Sequence, residues 1–195
     1  NQKWMAQNIA YKVEGSYNLA EGRGAGQYYD WGQAQLACPF GWHLPTDEEW
    51  KALEAELGMS TAELDNIGAR GSIAPKLKST LRWDGRGLNS TGFRAQPNGF
   101  YRKVNLADTI GAAQSFSALY WTASKDQNQE PFFRALKIED DAVYRDIRDD
   151  AEFLPCRCVK DSCSINFDLT VAGNSISITN ATGAAPYSYT LLQES

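Results

Sequence analysis

The stretch that decides the fold is Cys38-Pro-Phe-Gly-Trp-His-Leu-Pro-Thr-Asp-Glu-Glu-Trp50. Thr46 and Glu49 have the spacing of a capping box, in which the hydroxyl accepts from the third backbone N–H and the glutamate reaches back. The sequence therefore predicts a helix that begins after Thr46 and ends at Gly58, which supplies a left-handed stop. The residues of its predicted buried stripe are Trp50, Leu53 and Leu57.

Two further capping patterns flank this helix. Asp30 with Gln33 predicts a short helix upstream, with Trp31, Ala34 and Cys38 on one face. Ser60 with Glu63 predicts a third short helix that carries Leu64 and Ile67.

In the second half of the chain the hydrophobic pattern changes from a helical period to the alternation of strands. Residues 70–115 are rich in Gly, Ser, Asn and Arg and predict long loops with short strands at 92–96 and 100–104. Alternation over 132–138 and 143–147, with a turn at Asp140-Asp141, predicts an antiparallel meander. The fold class is therefore α+β.

The C-terminal segment, residues 162–195, differs in composition from the residues that precede it. After Asp161 the chain has few charges, and apolar residues alternate with polar ones in short strands. Three strands are too few for an independent sandwich. We expect a main domain over residues 1–161, and over 162–195 a short all-β segment that is a partial repeat or a flap.

The composition is that of a folded protein. The chain has 195 residues, of which 43% are hydrophobic and 12% aromatic, which argues against disorder. The net charge of −5 argues against nucleic-acid binding. The start at Asn1, without Met, suggests a mature or trimmed product, so any membrane attachment is expected through an anchor outside this chain.

The charges are segregated along the chain. Residues 70–103 contain eight basic residues against the single acid Asp84, whereas residues 139–152 contain seven acids against two arginines. If the two segments lie apart, the surface has two electrostatic sides. The basic segment is then a candidate for binding acidic glycans, a partner protein or the acidic segment of a second copy, and the alternative is that its charges are solvated on loops without a partner.

Four cysteines are present, and three of them crowd into residues 156–163. An even number favours disulfides and an oxidising compartment. A zinc site is disfavoured, because the C-x-C-x4-C spacing lacks paired ligand motifs and the only histidine is His43. Four cysteines allow three pairings, between which the spacing does not choose.

The order and spacing of several motifs resemble the Fib_succ_major (FISUMP) paralogous domain family across about residues 4–160. The motifs are Trp4-Met-Ala-Gln-Asn-Ile9, Tyr28-Tyr-Asp-Trp31, Ala37–Trp50, Gly92-Phe93, Pro97–Arg102, Tyr120-Trp-Thr-Ala-Ser124 and Cys156-Arg-Cys-Val-Lys160. The resemblance implies an exported bacterial protein, often a lipoprotein or surface protein, and no assigned activity.

Leu44-Pro-Thr-x-x-Glu-Trp50 also resembles the formylglycine-generating-enzyme-like branch of the C-type-lectin fold. This resemblance implies two to three helices on a twisted antiparallel sheet with long loops. It also implies a disulfide between Cys38 and Cys158, which leaves Cys156 and Cys163 to pair locally. The tail Ser175–Tyr189 resembles the β-repeats of large bacterial surface adhesins.

Several residues could support chemistry, but each also suits a structural role. Cys156 and Cys163 as copper-binding thiols would suit a redox enzyme on this scaffold, and the acids near 139–152 a hydrolase, but the rest of the enzyme pattern is missing. Gln96-Pro97-Asn98 resembles a calcium-dependent sugar-binding tripeptide without its partner strand, so no cofactor is expected and calcium is the alternative. His43 is expected to be structural.

The expected function is that of a non-catalytic module at the bacterial cell surface, for adhesion, carbohydrate binding or assembly. Its expected partners are a glycan, a surface protein or another copy of the chain. Aromatic side chains that could stack on sugars, with polar neighbours, make up the candidate ligand site, and the alternative is that most of the aromatic residues, including Tyr28 and Tyr29, belong to the core. The residues of this site are Arg94, Gln96, Asn98, Tyr101, Arg102, Tyr120 and Trp121.

Overall fold

A computed structural model describes residues 2–18, 26–103, 109–112 and 116–161, together with the backbone of three strands in the C-terminal segment. The chain divides into two compact units, Asn1–Asp161 and Ser162–Ser195. Most of the regular structure is sheet and little is helix, which confirms the α+β class.

The described residues form three helices and fourteen strands. The helices are α1 (Trp31–Ala34), α2 (Asp47–Glu56) and α3 (Ala74–Leu77). The strands of the first unit are β1 (Tyr17–Asn18), β2 (Gln27–Tyr29), β3 (Trp42–His43), β4 (Gly68–Arg70), β5 (Phe100–Lys103), β6 (Thr109–Ala112), β7 (Ser117–Lys125), β8 (Pro131–Lys137), β9 (Val143–Ile147), β10 (Leu154–Pro155) and β11 (Val159–Lys160). The strands of the second unit are β12 (Phe167–Ala172), β13 (Ser175–Asn180) and β14 (Ser188–Tyr189).

The main sheet of the first unit is antiparallel, with the strand order β4-β9-β8-β7. The predicted meander is confirmed, since β8 and β9 pair with Arg134 opposite Arg145. Smaller sheets join β1-β2-β10, β3-β11 and β5-β6. In the second unit, β12, β13 and β14 form a separate antiparallel sheet.

Local capping accounts for α1 and α2. Asp30 with Gln33, and Thr46 with Glu49, each make both hydrogen bonds of the capping box, which confirms these two predicted helix starts. Gly58 follows α2 with a φ of +99°, as a left-handed stop requires.

Two predicted elements are wrong. Residues 60–67 form turns rather than a helix, because Glu63, besides contacting Ser60, accepts a hydrogen bond from the Gly71 N–H (3.2 Å) and ties the turn to the chain beyond β4. Residues 92–96 do not form a strand, because Gly92 and Arg94 have φ angles of +72° and +55°, which are incompatible with extended backbone.

The two faces of β7 bury different cores. Leu119 and Trp121 face a cluster that includes Tyr29, Leu154 and Cys158. The alternate residues of β7 face a second cluster, which also contains residues of α2 and of the segment around Trp83. Members of this second cluster are Ala118, Tyr120, Trp50, Leu77, Trp83 and Phe93. The central strand is therefore enclosed on both sides.

Cys38 and Cys158 form a disulfide that spans 120 residues of sequence, as the family resemblance implied. A loop of this length stabilises the fold by on the order of 4–5 kcal/mol through the unfolded state. The expected partnership of Cys156 with Cys163 is corrected: Cys156 is a free thiol, fully buried in the Tyr29 cluster, where any partner sulfur would have to enter the core. Cys163 lies outside the described residues.

Between α2 and the main sheet lies a set of buried charged side chains, here named the charged layer. Glu54 Oε1 accepts hydrogen bonds from Arg70 (2.9 Å) and Arg134 (2.7 Å). Asp47 binds Arg145 through both carboxylate oxygens, at 2.9 and 2.8 Å. All five side chains are at most 8% exposed, so α2 is held to β4, β8 and β9 by paired charges as well as by apolar contacts.

Candidate functional site

The structure separates the seven predicted ligand-site residues into two groups. Arg94 and Arg102 are exposed, and Gln96 is half-buried. The other four lie in the interior, with exposed fractions of at most 6%: Asn98, Tyr101, Tyr120 and Trp121. These seven residues therefore do not share one accessible surface.

The expectation of an exposed aromatic platform is corrected by this burial. Tyr120 and Trp121 lie on opposite faces of β7 and pack into different clusters. Trp121 also donates from Nε1 to the Tyr29 carbonyl (2.8 Å), and Tyr101 packs edge-on against Tyr28. Alternation along an enclosed strand buries both sets of rings, so they offer no face to a sugar.

The basic and acidic segments meet instead of lying apart. Lys78 is buried and donates to the Asp140 carbonyl (2.5 Å), and Arg86 pairs with Asp141 at 3.3 Å. Arg102 lies 3.6 Å from Glu152. Two charge pairs, Arg86–Asp141 and Arg102–Glu152, thus join the basic and acidic segments, while Arg82 and Arg94 of the basic segment are exposed without an ion pair to the described side chains.

The loop of residues 79–94, which contains Arg82 and Arg94, is named the arginine loop. Its ends are joined by hydrogen bonds between Ser79 and Ala95 (2.9 Å) and between Asn89 and Lys78 (3.0 Å). At its centre Trp83 is 1% exposed and donates from Nε1 to the Ala95 carbonyl (2.8 Å). The loop is therefore anchored from beneath by a buried indole.

The backbone of the arginine loop is held in unusual conformations. Arg82, Asp84, Asn89 and Arg94 all have positive φ, between 48° and 69°. Such conformations cost free energy and persist only where the surroundings enforce them. Gly87 is required by close approach, since a Cβ there would lie 1.6 Å from the Ser79 carbonyl oxygen.

The outer surface of the arginine loop combines apolar and cationic side chains. Leu81 and Leu88 are 70% and 65% exposed. Arg82 and Arg94 are exposed and have no ion-pair partner among residues 2–18, 26–102 and 116–161. This arrangement of leucine and arginine on a fixed backbone can bind an acidic partner with an apolar component.

A second surface feature is a groove beside Trp4, named the Trp4 groove. It consists of two adjoining hollows of about 180 and 320 Å³. Its lining comes from the N-terminal segment, from α2 and from the end of the arginine loop: Gln2, Trp4, Met5, Ala52, Leu53, Glu56, Thr91, Gly92 and Phe93. Sequence reasoning missed this site, because its residues come from three distant segments.

His43 lies between two carboxylates. Its Nδ1 is 2.5 Å from Asp161 and its Nε2 is 2.8 Å from Glu49, which also caps α2. Partial burial lowers the pKa of His43, but the hydrogen bonds to Asp161 and Glu49 outweigh it and raise the pKa above its usual value. In its protonated form the imidazolium can donate to both carboxylates, which join the chain at Asp161 to the start of α2.

The remaining candidate groups are structural or inert in their observed surroundings. Burial raises the pKa of the Cys156 thiol, which disfavours the nucleophilic thiolate. Asn98 donates its backbone N–H to the Gln96 carbonyl (2.8 Å), so Gln96-Pro97-Asn98 forms a tight turn. Within the part of the chain that the structure describes, no group of three or more His, Cys, Asp or Glu side chains is arranged to hold a metal ion.

No helix of the described residues has both the length and the apolar character needed to cross a membrane. A comparison with curated proteins finds no match, and a comparison with solved structures finds none either. The sequence-family model of the Fibrobacter succinogenes major domain (Fib_succ_major) matches residues 1–160. These residues include α1 to α3, the main sheet, the disulfide and both surface features described above. The chain therefore belongs to the Fib_succ_major family.

Proposed function

We propose that this chain is a non-catalytic binding module of a bacterial cell-surface protein, and that it recognises an acidic glycan or the acidic face of a protein through the arginine loop. A C-type-lectin-like arrangement, with short helices on a twisted antiparallel sheet and long loops, is part of the proposal. The disulfide between Cys38 and Cys158 supports an extracellular location, since such bonds persist in oxidising compartments. Attachment to the membrane would come from an anchor outside this chain.

The observation that carries the proposal is the rigid presentation of unpaired arginines beside exposed leucines. Binding residues are commonly placed on loops that a rigid scaffold positions. The arginine loop has such a scaffold in buried Trp83 and in the hydrogen bonds to Lys78 and Ala95. Because the loop needs no rearrangement to expose Leu88 and Arg82, little conformational entropy is lost on binding.

A binding screen tests this proposal. Immobilised sulfated glycans, carboxylated glycans and acidic matrix proteins are probed with the wild-type chain and with the double variant Arg82→Ala/Leu88→Ser. We expect binding that weakens with salt and that the double variant reduces by about 10-fold or more. Leu36→Ser, which changes a leucine that is 69% exposed outside the loop, is the matched control. Equal binding by the double variant would overturn the assignment of the loop.

The alternative function is a redox or hydrolytic enzyme on a formylglycine-generating-enzyme-like scaffold. Its redox form depends on a reactive Cys156, whereas burial and the raised pKa keep that thiol protonated at neutral pH. No observation in the described residues favours this alternative over binding. Turnover of a thiol or ester substrate, abolished by Cys156→Ser, would reverse the preference.

A further inference from the structure

The Trp4 groove has a fixed aromatic wall. The N-terminal segment pairs with the chain around β11, through hydrogen bonds from Met5 N–H to the Cys158 carbonyl (3.0 Å) and from Lys160 N–H to the Lys3 carbonyl (2.8 Å). Trp4 packs against Trp50 with ring centroids 4.8 Å apart and donates from Nε1 to Gln2 (3.1 Å). The half-buried indole is therefore held in place at the edge of the groove.

The groove is amphipathic. Its apolar lining is provided by Trp4, Met5, Leu53 and Phe93. Its polar groups stand at the rim, where Gln2, Glu56 and Thr91 are exposed. Glu56 is the only charged residue that lines either hollow, and it has no hydrogen-bond or ion-pair partner in the described part of the chain.

We propose that the Trp4 groove binds a neutral pyranose ring, as a monosaccharide or as one residue of a glycan chain. A pyranose has an apolar face of C–H groups that stacks on an indole, and hydroxyls around its edge that need polar partners. Trp4 supplies the stacking surface, and the Glu56 carboxylate accepts hydrogen bonds from hydroxyls. The larger hollow, of about 320 Å³, is at the lower end of the range for small-ligand pockets.

The charge and shape of the groove discriminate against other ligands. A single lining carboxylate repels anionic ligands, so this site differs in specificity from the arginine loop. A quaternary ammonium group is favoured where several ring faces surround the cation. Here Trp50 and Phe93 pack on Trp4 at 4.8 and 6.0 Å between centroids, and of these three rings only Trp4 lines the larger hollow, so no aromatic cage is formed there.

Titration calorimetry and saturation-transfer NMR test the proposal with neutral probes, namely glucose, mannose, N-acetylglucosamine and their disaccharides. We expect at least one of them to bind with a Kd in the range of about 0.1–10 mM, which is weak but measurable. Ala52→Trp should abolish binding, because it fills the groove from an exposed helical position without removing a core contact. Ala62→Trp, at an exposed position outside the groove, should leave binding unchanged.

Glu56→Gln keeps the shape of the rim and removes the charged acceptor, so we expect binding to weaken by about 10-fold. Arg82→Ala/Leu88→Ser should leave the binding of neutral saccharides intact. The proposal for the groove and the proposed function of the arginine loop are therefore tested independently. Three results would overturn the proposal: no neutral saccharide bound at about 10 mM, unchanged binding by Ala52→Trp, or, in Arg82→Ala/Leu88→Ser, stronger binding of choline or of a sulfated sugar than of any neutral saccharide.

Discussion

The charged layer and the arginine loop use the same residue type in opposite ways. In the charged layer, Arg70, Arg134 and Arg145 are at most 8% exposed on the side chain and bind the carboxylates of Glu54 and Asp47. In the arginine loop, Arg82 and Arg94 are exposed without an ion-pair partner among the residues whose side chains the structure describes. Burial, rather than residue type, therefore decides whether an arginine stabilises the fold or is available to a partner.

The physical reason is the difference in solvation. A buried guanidinium loses its hydration, so it must be paired, and removal of its partner is costly. An exposed guanidinium remains hydrated, so its loss changes stability little and leaves the charge available for steering and binding. The two regions should therefore respond in opposite ways to mutation.

The largest expected effect comes from Glu54→Gln. Glu54 Oε1 accepts from two arginines. The neutral amide leaves Arg70 without a compensating charge in the interior, whereas Arg134 keeps its ion pair with Asp47 at 2.8 Å. We expect the free energy of unfolding to fall by about 3–5 kcal/mol, measured by urea denaturation. Glu48→Gln on the same helix, where the carboxylate side chain is 79% exposed, should cost less than about 1 kcal/mol. Similar losses for both variants would contradict the distinction between the two regions.

A smaller effect on stability is expected from a substitution that changes the backbone shape of the arginine loop and leaves its charge unaltered. In Gly87→Ala the new Cβ would lie 1.6 Å from the Ser79 carbonyl oxygen, so backbone must move. We expect a loss of about 1–3 kcal/mol in thermal unfolding and faster amide hydrogen exchange in residues 79–94.

Gly32→Ala is the matched control for this variant, because its Cβ would meet only Asp30 Oδ1 at 3.5 Å, an ordinary contact. If Gly87→Ala and Gly32→Ala unfold alike and the loop amides keep their protection, the loop is not held by close approach to Ser79.

The smallest effect on stability is expected from the ionisation of His43. Its side chain is 39% exposed, unlike those of the charged layer, and it is paired, unlike Arg82 and Arg94. Its folded pKa is raised, so the stabilisation is fully present below the unfolded pKa of about 6.5 and is lost as pH rises through the folded pKa. Solvent screening limits this contribution to less than about 1 kcal/mol.

His43 is the only histidine, so its imidazole resonances can be titrated by NMR without assignment. We expect a midpoint above 6.5 in the wild type and a lower midpoint in Asp161→Asn. Asp146→Asn, which changes a carboxylate outside the pair around His43, should leave the midpoint in place. A wild-type midpoint at or below 6.5 would show that the two carboxylates do not hold the imidazolium.

The parts of the fold that sequence predicted are those with local causes. The capping boxes at Asp30 and Thr46, and the alternation of β8 and β9, each depend on residues a few positions apart. The wrong helix over 60–67 shows the limit of local patterns: the capping contacts between Ser60 and Glu63 form, yet the chain turns toward β4.

The candidate sites were predicted poorly, because they depend on distant segments. The arginine loop lies within the basic segment noticed in the sequence, but nothing local shows that Arg70 and Lys78 are buried while Arg82 is exposed. One signal was available for the charged layer. Arg134 occupies a position in the alternation of β8 shared with Leu136, and a charge in an apolar row indicates a buried partner.

The sequence alone predicted the starts of α1 and α2, the strand periodicity of β8 and β9, the family, and cysteines that suit an oxidising compartment. Each of these features depends on residues a few positions apart or on residue type alone. Three features depend on the folded chain: which arginines are paired, the burial of the candidate aromatic residues in the core, and the groove in which Gln2, Trp4, Leu53 and Phe93 meet. These outcomes depend on desolvation and on contacts between residues far apart in the chain, which no local pattern records.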